Sequence, residues 1–225
     1  MTPRTIAIDG PAGAGKSTIG ALVAERLGYV FLDTGAMYRA VALAAKRRGI
    51  DPDDGPRLGK LAREVRVLIG PPTKRDGRAY TVLLDGDDVT WEIREADIDR
   101  IVSQVARVQE VRDAMVEQQR ALAERGRLVM VGRDIGTVVL PGADRKIYLT
   151  ASAAERAKRR DEELRARGQV RPRQELLQEI LRRDKLDSER AVAPLKTAED
   201  AVVVHTDGLA VGEALDRILA LITAT

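Results

Sequence analysis

A glycine-rich stretch near the start of the chain constrains the fold more than any other feature. The sequence IAIDGPAGAGKST, residues 6–18, places an apolar run directly before three glycines, a lysine and two hydroxyl residues. It fits the pattern G-x-x-x-x-G-K-[ST] through Gly10, Gly15, Lys16 and Ser17. The apolar run predicts a buried strand, and the residues after it have the apolar spacing of a helix. The chain therefore has to turn from strand to helix through this loop.

The loop predicts a phosphate-binding site. Glycine lets the backbone curl so that several N–H groups point at one anion, and the positive end of the following helix dipole strengthens the attraction. We expect Lys16 to reach the β- and γ-phosphates of a nucleotide, Ser17 to be a Mg²⁺ ligand, and Thr18 to lie near the α-phosphate. An incidental glycine turn is the alternative. The predicted nucleotide-binding residues of the loop are Gly10, Pro11, Ala12, Gly13, Ala14, Gly15, Lys16, Ser17 and Thr18.

Strand-like and helix-like segments alternate over most of the chain. Short apolar runs predict five buried strands, at residues 4–9, 29–33, 127–134, 146–152 and 200–208. Segments with helical spacing predict helices, including AMYRAVALAAKRRG after the second strand and AVGEALDRILALI near the end of the chain. Such alternation is typical of parallel strands joined by crossover helices. We predict an α/β fold with a five-stranded parallel core sheet flanked by helices.

Three segments depart from this alternation. Between residues 63 and 100, the strand-like pieces EVRVLIG, AYTVLLDG and DVTWEI are separated by turn sequences, which predicts a small antiparallel β insert. Residues 95–125 have a long helical pattern. Residues 153–190 form a helical region that is very dense in charge and is interrupted by RGQVRPR.

The composition narrows the class of protein. The 225 residues include no cysteine and one histidine, His205, which excludes disulfides, thiolate metal sites and a histidine-rich zinc centre. The 38 basic and 35 acidic residues are interspersed, and aromatic residues are only 3%, so base-stacking platforms for nucleic acid are poorly supplied. No apolar run is as long as a membrane span, and the first residues do not resemble a signal peptide. We expect a cytoplasmic protein without a membrane or nucleic-acid partner.

Arginines recur where ligands bind in parallel sheets, beyond the carboxyl ends of strands. Thr34, Tyr38 and Arg39 follow the second predicted strand, and Arg133 and Asp134 end the third. Taken alone, Arg133 and Asp134 fit a structural ion pair slightly better than a ligand site. Several such arginines beside a phosphate-binding loop nevertheless predict phosphoryl transfer to a second phosphorylated ligand.

A further arginine group lies near residue 190. Arg183, Asp187 and Arg190 are spaced four and three residues apart, so they share one face if the helix continues. A solvated, salt-bridged helix face explains this spacing equally well.

Two other classes of nucleotide-binding protein fit less well. A GTPase switch needs an Asn-Lys-x-Asp guanine reader, and this chain contains no asparagine. A motor or helicase ATPase is expected to have a strand that ends in adjacent acids, whereas LVMVGRD ends in Gly132, Arg133 and Asp134. The sequence leaves open a kinase that acts on a nucleoside monophosphate or another small metabolite, and a nucleotide-dependent switch or nucleic-acid-binding ATPase.

The chain resembles the bacterial cytidylate kinases over nearly its whole length, from residue 6 to about 204. The segments IAIDGPAGAGKST, LDTGAMYR, LLDGDDVTWEIR, VGRDIGTVVLP and RRDKLDSERAVAPL occur in the order and spacing of that family. The resemblance implies a P-loop nucleoside monophosphate kinase fold with a mobile lid. It also implies transfer of the γ-phosphoryl group of ATP to CMP or dCMP with Mg²⁺, in pyrimidine nucleotide metabolism.

The resemblance also implies a role for individual residues. Besides Thr34 and Tyr38, which line the substrate site, Arg39, Arg133 and Arg190 would hold the phosphate of CMP; Ser103, Arg112 and Asp134 would recognise the cytosine; Arg183 and Asp187 would bind the sugar. Thr34 stands where many relatives have serine, and Gln109 where relatives often have proline.

The lid is implied at about residues 155–175, where Arg156, Arg159 and Arg160 would close over ATP. Lys16, Arg133, Arg183, Arg156 and Arg160 would carry the catalysis, and Arg159 would bind ATP. The implied units are a P-loop core at residues 1–62 and 101–225 and a monophosphate-binding insert at residues 63–100. We expect a monomer.

Overall fold

The computed structural model describes residues 2–166 and 168–223, which form eight strands and eight α-helices, with a 3₁₀ helix at Glu92–Arg94 and a π-helix at Ile135–Val139. Met1, Arg167, Ala224 and Thr225, which fall within the predicted core and lid, lie outside the described residues. The strands are β1 (Thr5–Asp9), β2 (Val30–Asp33), β3 (Val67–Gly70), β4 (Thr81–Leu84), β5 (Asp87–Asp88), β6 (Leu128–Gly132), β7 (Arg145–Thr150) and β8 (Val202–His205). The helices are α1 (Lys16–Leu27), α2 (Thr34–Arg47), α3 (Gly55–Glu64), α4 (Ala96–Val105), α5 (Gln109–Ala123), α6 (Ala153–Ala166), α7 (Arg173–Glu189) and α8 (Val211–Thr223).

A five-stranded parallel sheet in the order β2-β6-β1-β7-β8 runs through the centre of the protein. Its register places Asp9 opposite Gly132 and Asp33 opposite Val131. The carboxyl ends of β1, β2 and β6 therefore meet at one edge, and the glycine loop and residues 133–134 begin there. The prediction of a five-stranded parallel core flanked by helices is confirmed.

Both faces of the sheet are covered by apolar side chains, because β6 alternates its side chains between them. Leu128 and Met130 join the buried cluster formed with α2, α3, α4 and α5. Val129 and Val131 join a second cluster with α1 and α8. Strands buried on both faces read as continuous apolar runs, which is the pattern that predicted them. In the described part of the chain, no helix combines the length and apolarity needed to cross a membrane.

The predicted antiparallel insert is present as the three-stranded sheet β3-β4-β5. Val67 pairs with Leu84, and Leu84 in turn pairs with Asp87. The insert has no core of its own, because Tyr80, Val82 and Leu84 belong to the same buried cluster as the α2 side of the main sheet. Its implied boundaries, residues 63–100, stay a prediction.

The strand predicted over DVTWEI is wrong. Strand β5 covers only Asp87–Asp88, and Glu92–Arg94 form a 3₁₀ turn. The side chain of Asp88 accepts hydrogen bonds from the backbone N–H and the hydroxyl of Thr90. These bonds turn the chain away from the sheet after two residues, since they offer Thr90 a local alternative to the strand ladder.

The helical regions are also more divided than the sequence pattern indicated. The pattern over residues 95–125 is split at residues 106–108 into α4 and α5. Helix α3 lies in a segment for which we made no prediction. Gln109 is the first residue of α5, a position that also suits proline because its N–H makes no intrahelical bond.

The helix does not continue to Arg190, so the condition for a helix face shared by Arg183, Asp187 and Arg190 is not met. Helix α7 ends at Glu189, and Arg190 has an extended backbone with φ −63° and ψ 139°. The chain reverses just after it, where the N–H of Leu195 donates to the carbonyl of Asp187. Arg190 therefore reaches the same region from a loop.

Replacing Gly20 in α1 tests how closely this helix packs on the sheet. A Cβ atom there would lie 2.5 Å from Cγ1 of Val131 and 2.9 Å from Cε2 of Phe31. We expect Gly20→Ala to lower the free energy of unfolding by about 1–3 kcal/mol, because the added carbon overpacks the contact. Chemical denaturation measures this change.

Gly212→Ala in α8 is the matched control, since no atom lies within 4 Å of the Cβ position. Alanine favours the helix over glycine, so we expect no loss and a gain of up to about 1 kcal/mol. Unchanged stability of Gly20→Ala would contradict the close packing of α1.

Candidate active site

The glycine loop joins β1 to α1 in a curled conformation that depends on glycine. Gly10 has φ 147°, and a Cβ atom there would lie 1.9 Å from the carbonyl oxygen of Leu149. Gly13 and Gly15 also have positive φ, at 77° and 93°. Other residues rarely adopt such backbone angles, so the loop keeps its shape only with glycine at these positions. The N-terminus of α1 points its free N–H groups into the curl.

Lys16 is the fixed positive charge at this loop. Its side chain is 6% exposed, and Nζ donates a hydrogen bond of 2.7 Å to the carbonyl of Pro11. Burial and the nearby guanidinium group of Arg133 lower the pKa of Lys16 well below its ordinary value. An anion bound in the loop would oppose both effects, because it favours the charged form of the ammonium group.

Ser17 faces a carboxylate that the sequence analysis did not single out. Its hydroxyl donates a hydrogen bond of 2.5 Å to Oδ2 of Asp33, and the hydroxyl of Tyr80 donates to the same oxygen at 2.8 Å. Burial and the charge of Asp33 raise the pKa of Tyr80 above its ordinary value. A hydroxyl beside a carboxylate is a set of hard oxygen ligands of the kind that Mg²⁺ prefers.

A pocket with about 480 Å³ of empty space opens beside the loop at the same edge of the sheet. It lies between α2, α4, α5, α7 and the turn after β6. Nine residues that were predicted to bind the substrate line it: Thr34, Tyr38, Ser103, Arg112, Arg133, Asp134, Arg183, Asp187 and Arg190.

One end of the pocket holds a buried ion pair between Arg112 and Asp134. The two residues are 2% and 5% exposed, and Arg190 approaches the other carboxylate oxygen of Asp134 at 3.4 Å. The guanidinium group of Arg112 also lies over the ring of Tyr38, 5.8 Å from its centroid. Burial raises the pKa of Tyr38 to about 12. This end therefore presents fixed donors and acceptors in an enclosed space.

The other end of the pocket is crowded with positive charge. Arg133 donates from Nε to Asp187 at 2.9 Å. Burial, followed by the charges of Arg133 and Arg39, lowers the pKa of Arg183 to about 10. The buried Nε of Arg183 finds no hydrogen-bond acceptor among the described residues. An unpaired buried donor among like charges is costly, and a ligand oxygen would satisfy it.

Arg39 is predicted to bind the substrate but does not line the pocket. Its guanidinium group donates to the carbonyl of Ile93 at 3.1 Å and to Asp99 at 2.5 Å. Arg160, from α6, reaches the other oxygen of Asp99 at 3.2 Å. The two arginines therefore meet at a shared carboxylate beside the pocket.

The other two arginines of the predicted lid lie on the side of the glycine loop. Arg156 is buried, forms two hydrogen bonds to Asp184 at 2.9 and 2.6 Å, and donates to the carbonyl of Ala12 in the glycine loop at 3.1 Å. Arg159 donates to Thr206 through both terminal nitrogens. Helices α6 and α7 are thereby connected to the loop through Arg156.

Thr34 has a structural contact at the floor of the pocket. Its hydroxyl donates to the carbonyl of Val131 at 2.9 Å, and a Cβ atom at Gly132 would lie 2.6 Å from that hydroxyl oxygen. The first turn of α2 and the end of β6 are thus held in close contact.

Three carboxylates of the site were missed by the sequence analysis. Asp9 and Asp33 each end a strand at the ligand edge, and that position was the available signal. Asp9 accepts the backbone N–H groups of Ile135 and Gly136 at 2.8 and 2.7 Å. Asp99 has no such signal, because it lies on a helix and its partners are distant in the sequence.

A glycine loop between a strand and a helix, with an arginine-lined pocket at the same sheet edge, defines a P-loop kinase. Kinases of this class use ATP as the phosphoryl donor. The chain belongs to the cytidylate kinase family, since the family's sequence model matches residues 6–224.

Individual relatives agree with this assignment. The chain is 53% identical to the cytidylate kinase of Chloroflexus aggregans, over 96% of this chain and 93% of that protein. It is 51% identical to the cytidylate kinase of Roseiflexus castenholzii, over 98% of this chain and 94% of that protein. The cytidylate kinase of Geobacillus kaustophilus is 50% identical, over 97% of this chain and 96% of its own length.

Among solved structures, a gluconokinase from Sinorhizobium meliloti 1021 matches with a TM-score of 0.48 and 20% identity, covering 98% of this chain and 92% of its own. A shikimate kinase from Bacteroides thetaiotaomicron matches with a TM-score of 0.48 and 14% identity, covering 98% of both chains.

The bond between Tyr80 and Asp33 can be tested by removing one hydroxyl. We expect Tyr80→Phe to lower the free energy of unfolding by about 1–2 kcal/mol, because a buried carboxylate loses a hydrogen bond. Denaturant unfolding at neutral pH measures the change.

Tyr148→Phe in β7 is the control, since its hydroxyl forms no hydrogen bond with the described residues. We expect a change below about 0.5 kcal/mol there. Equal changes in the free energy of unfolding of the two variants would mean that the hydrogen bond from Tyr80 to Asp33 does not stabilise the fold.

Proposed function

We propose that the protein is a cytidylate kinase that transfers the γ-phosphoryl group of ATP to CMP or dCMP, giving CDP or dCDP and ADP. The observation that carries this proposal is the pocket in which the buried Arg112–Asp134 pair lies next to a group of arginines. The pocket opens at the same sheet edge as the glycine loop. Two phosphorylated ligands can therefore meet end to end.

The Arg112–Asp134 end of the pocket suits cytosine. Cytosine carries an amino group at C4 where uracil carries a carbonyl, so a carboxylate pairs with the first and repels the second. The guanidinium group of Arg112 suits the acceptors N3 and O2 of the ring. Ser103 lines the same pocket. A buried partner left unpaired costs about 1–3 kcal/mol, and a cost of about 1.4 kcal/mol is already a tenfold preference.

The opposite end suits the phosphate and the sugar. We assign Arg39, Arg133 and Arg190 to the phosphate of CMP, and Arg183 and Asp187 to the sugar. Arg190 lies 3.4 Å from Asp134 at the other end of the pocket and would have to turn from that carboxylate to reach the phosphate. The unpaired Nε of Arg183 gives this assignment a physical reason, because a sugar or phosphate oxygen would accept its hydrogen bond. Charge-assisted hydrogen bonds from several guanidinium groups would also fix the direction of the phosphate.

No catalytic base is needed for this reaction. The transferred group is loosely bonded in the transition state and its charge spreads over its oxygens, so positioning and positive charge supply most of the catalysis. Lys16, Arg133 and Arg183 are assigned to that charge, together with Arg156 and Arg160. Main-chain N–H groups of the glycine loop would hold the phosphates of ATP.

Mg²⁺ fits the oxygen ligands at the end of β2. Ser17 would bind the ion directly, and Asp33 lies beside it. The described residues contain no cluster of three or more acidic, histidine or cysteine ligands, which agrees with an ion held mainly by phosphates and water. When bound, Mg²⁺ neutralises phosphate charge.

We assign α6 and the start of α7 to a lid over ATP. Arg156 joins this region to the glycine loop and to Asp184, and Arg160 joins it to the α4 side of the pocket. Closing the site excludes water, which protects ATP from hydrolysis.

We also propose that the protein acts as a monomer, because the residues assigned to both ligands lie on one chain. We propose the cytoplasm as its compartment.

A substrate panel tests the proposed function. We expect ADP release from ATP to depend on CMP or dCMP and to be at least about tenfold faster with CMP than with UMP or AMP at equal concentration. A coupled assay for ADP measures the four rates. Equal rates with UMP would remove Asp134 from its assigned role, and ADP release that ignores CMP would overturn the function.

Two single substitutions separate the two ligand sites. Arg133→Ala should raise KM for CMP by about 10–100-fold and change KM for ATP much less, because a charge-assisted bond to the CMP phosphate is lost. Lys16→Ala should instead lower kcat, by about 100-fold or more.

Arg57→Ala, on the exposed surface of α3, is the control and should leave both constants unchanged. Steady-state kinetics with each substrate varied in turn give the comparison. An equal rise of both KM values in Arg133→Ala would contradict its placement at the CMP phosphate.

A further inference from the structure

Asp99 is a carboxylate that joins three elements around the pocket. It lies in the first turn of α4, and arginines approach it from α2, α6 and α7. Its Oδ1 atom is 2.5 Å from Nη2 of Arg39 and 3.6 Å from Nη1 of Arg183. Its Oδ2 atom is 3.2 Å from Nη2 of Arg160.

All three of these arginines have an assigned role in binding or catalysis. Arg39 is assigned to the CMP phosphate, Arg183 to the sugar and Arg160 to the lid. Each would leave Asp99, or share it, when a nucleotide phosphate enters. Arg160 also pairs with Glu163 at 2.8 Å, so two carboxylates face the three guanidinium groups. The cluster keeps an excess of positive charge that attracts an anion.

The titration of Asp99 agrees with this geometry. Burial alone would raise its pKa, but the charges of Arg39, Arg183 and Arg160 and the hydrogen bond from Arg39 together outweigh burial, so the pKa lies below the ordinary value. Asp99 is therefore ionised at neutral pH, where nucleotide phosphates carry their negative charge as well.

We propose that Asp99 is a positioning residue that takes the place of the substrate's phosphate. Before CMP binds, it gathers Arg39, Arg160 and Arg183, and it competes with the phosphate of CMP for Arg39. The proposal rests on the proposed function, because it needs a phosphorylated substrate in this pocket. Arg160 also ties α6 to α4 through Asp99, so the entering phosphate releases one of the contacts of the predicted lid.

The proposal predicts in which direction the affinity for CMP changes when the charge of Asp99 is removed. Removing the negative charge of Asp99 removes a repulsion from the incoming dianion and frees its arginine partners. At the distance of a few ångströms that separates such groups, this change is large enough to tighten binding by about three- to tenfold. A ligand without a phosphate should not respond.

The experiment compares Asp99→Asn with Asp97→Asn. Asp97 lies in the same turn of α4 but pairs with Lys46 and with none of the three arginines. The matched variant therefore loses the same charge at the same helix end. Isothermal titration at constant ionic strength gives Kd for CMP and for cytidine, which lacks the phosphate, on the whole protein.

We expect Asp99→Asn to bind CMP about three- to tenfold more tightly than the wild-type protein. Asp97→Asn should bind CMP as tightly as the wild-type protein does. Cytidine should bind all three proteins alike. Asp99→Glu, which keeps the charge, should restore the original affinity for CMP. Asp99→Ser makes the same change of charge and replaces the asparagine variant if thermal unfolding finds that variant unfolded.

Unchanged or weaker CMP binding in the neutral variants would overturn the proposal, as would equal tightening in Asp97→Asn or tighter binding of cytidine. These outcomes can be told apart from failure of the proposed function. If the proposed function failed, the wild-type protein would bind CMP no better than cytidine and would not phosphorylate CMP.

Discussion

The carboxylate of Asp9 holds the two halves of the site together. It ends β1, directly before Gly10, and accepts the N–H groups of Ile135 and Gly136 across the edge of the sheet. Burial raises its pKa to about 6, even though these two hydrogen bonds act in the opposite direction. The glycine loop and the turn that bears Arg133, which we propose to hold the two phosphates, are therefore fixed relative to each other. Phosphoryl transfer depends on such alignment of the two reactants.

Positive charge is the second constraint, and the protein distributes it unevenly. Guanidinium groups outnumber carboxylates around the pocket, so each carboxylate pairs with more than one arginine. Asp134 pairs with Arg112 and Arg190. Asp99 pairs with Arg39, Arg160 and Arg183. Such a cluster is strained by its own repulsion, and the lowered pKa of Arg183 reports that repulsion together with burial. A bound anion would relieve this repulsion, while the carboxylates keep the arginines in place.

Local patterns predicted much of this structure. The strands of the core sheet are short apolar runs buried on both faces, and the glycine loop follows a fixed spacing, so both are visible without tertiary contacts. Features that depend on side chains from elsewhere were not visible. The chain leaves the strand near Thr90 because Asp88 bonds to it locally, and Arg190 reaches Asp134 from a loop 56 residues away. Asp99 meets Arg39 over a separation of 60 residues, and no pattern within α4 indicates that contact.

The central claim is that the two phosphorylated ligands meet end to end at the carboxyl edge of the sheet. A crystal structure with CMP and a non-hydrolysable ATP analogue bound together tests it most directly. We expect the triphosphate inside the curl of residues 10–17, the cytosine beside Arg112 and Asp134, and a phosphate oxygen of CMP within about 3–4 Å of the γ-phosphorus. Binding of CMP away from the glycine loop, or of its phosphate at the Arg112 end, would show that the two ligands do not meet in this way.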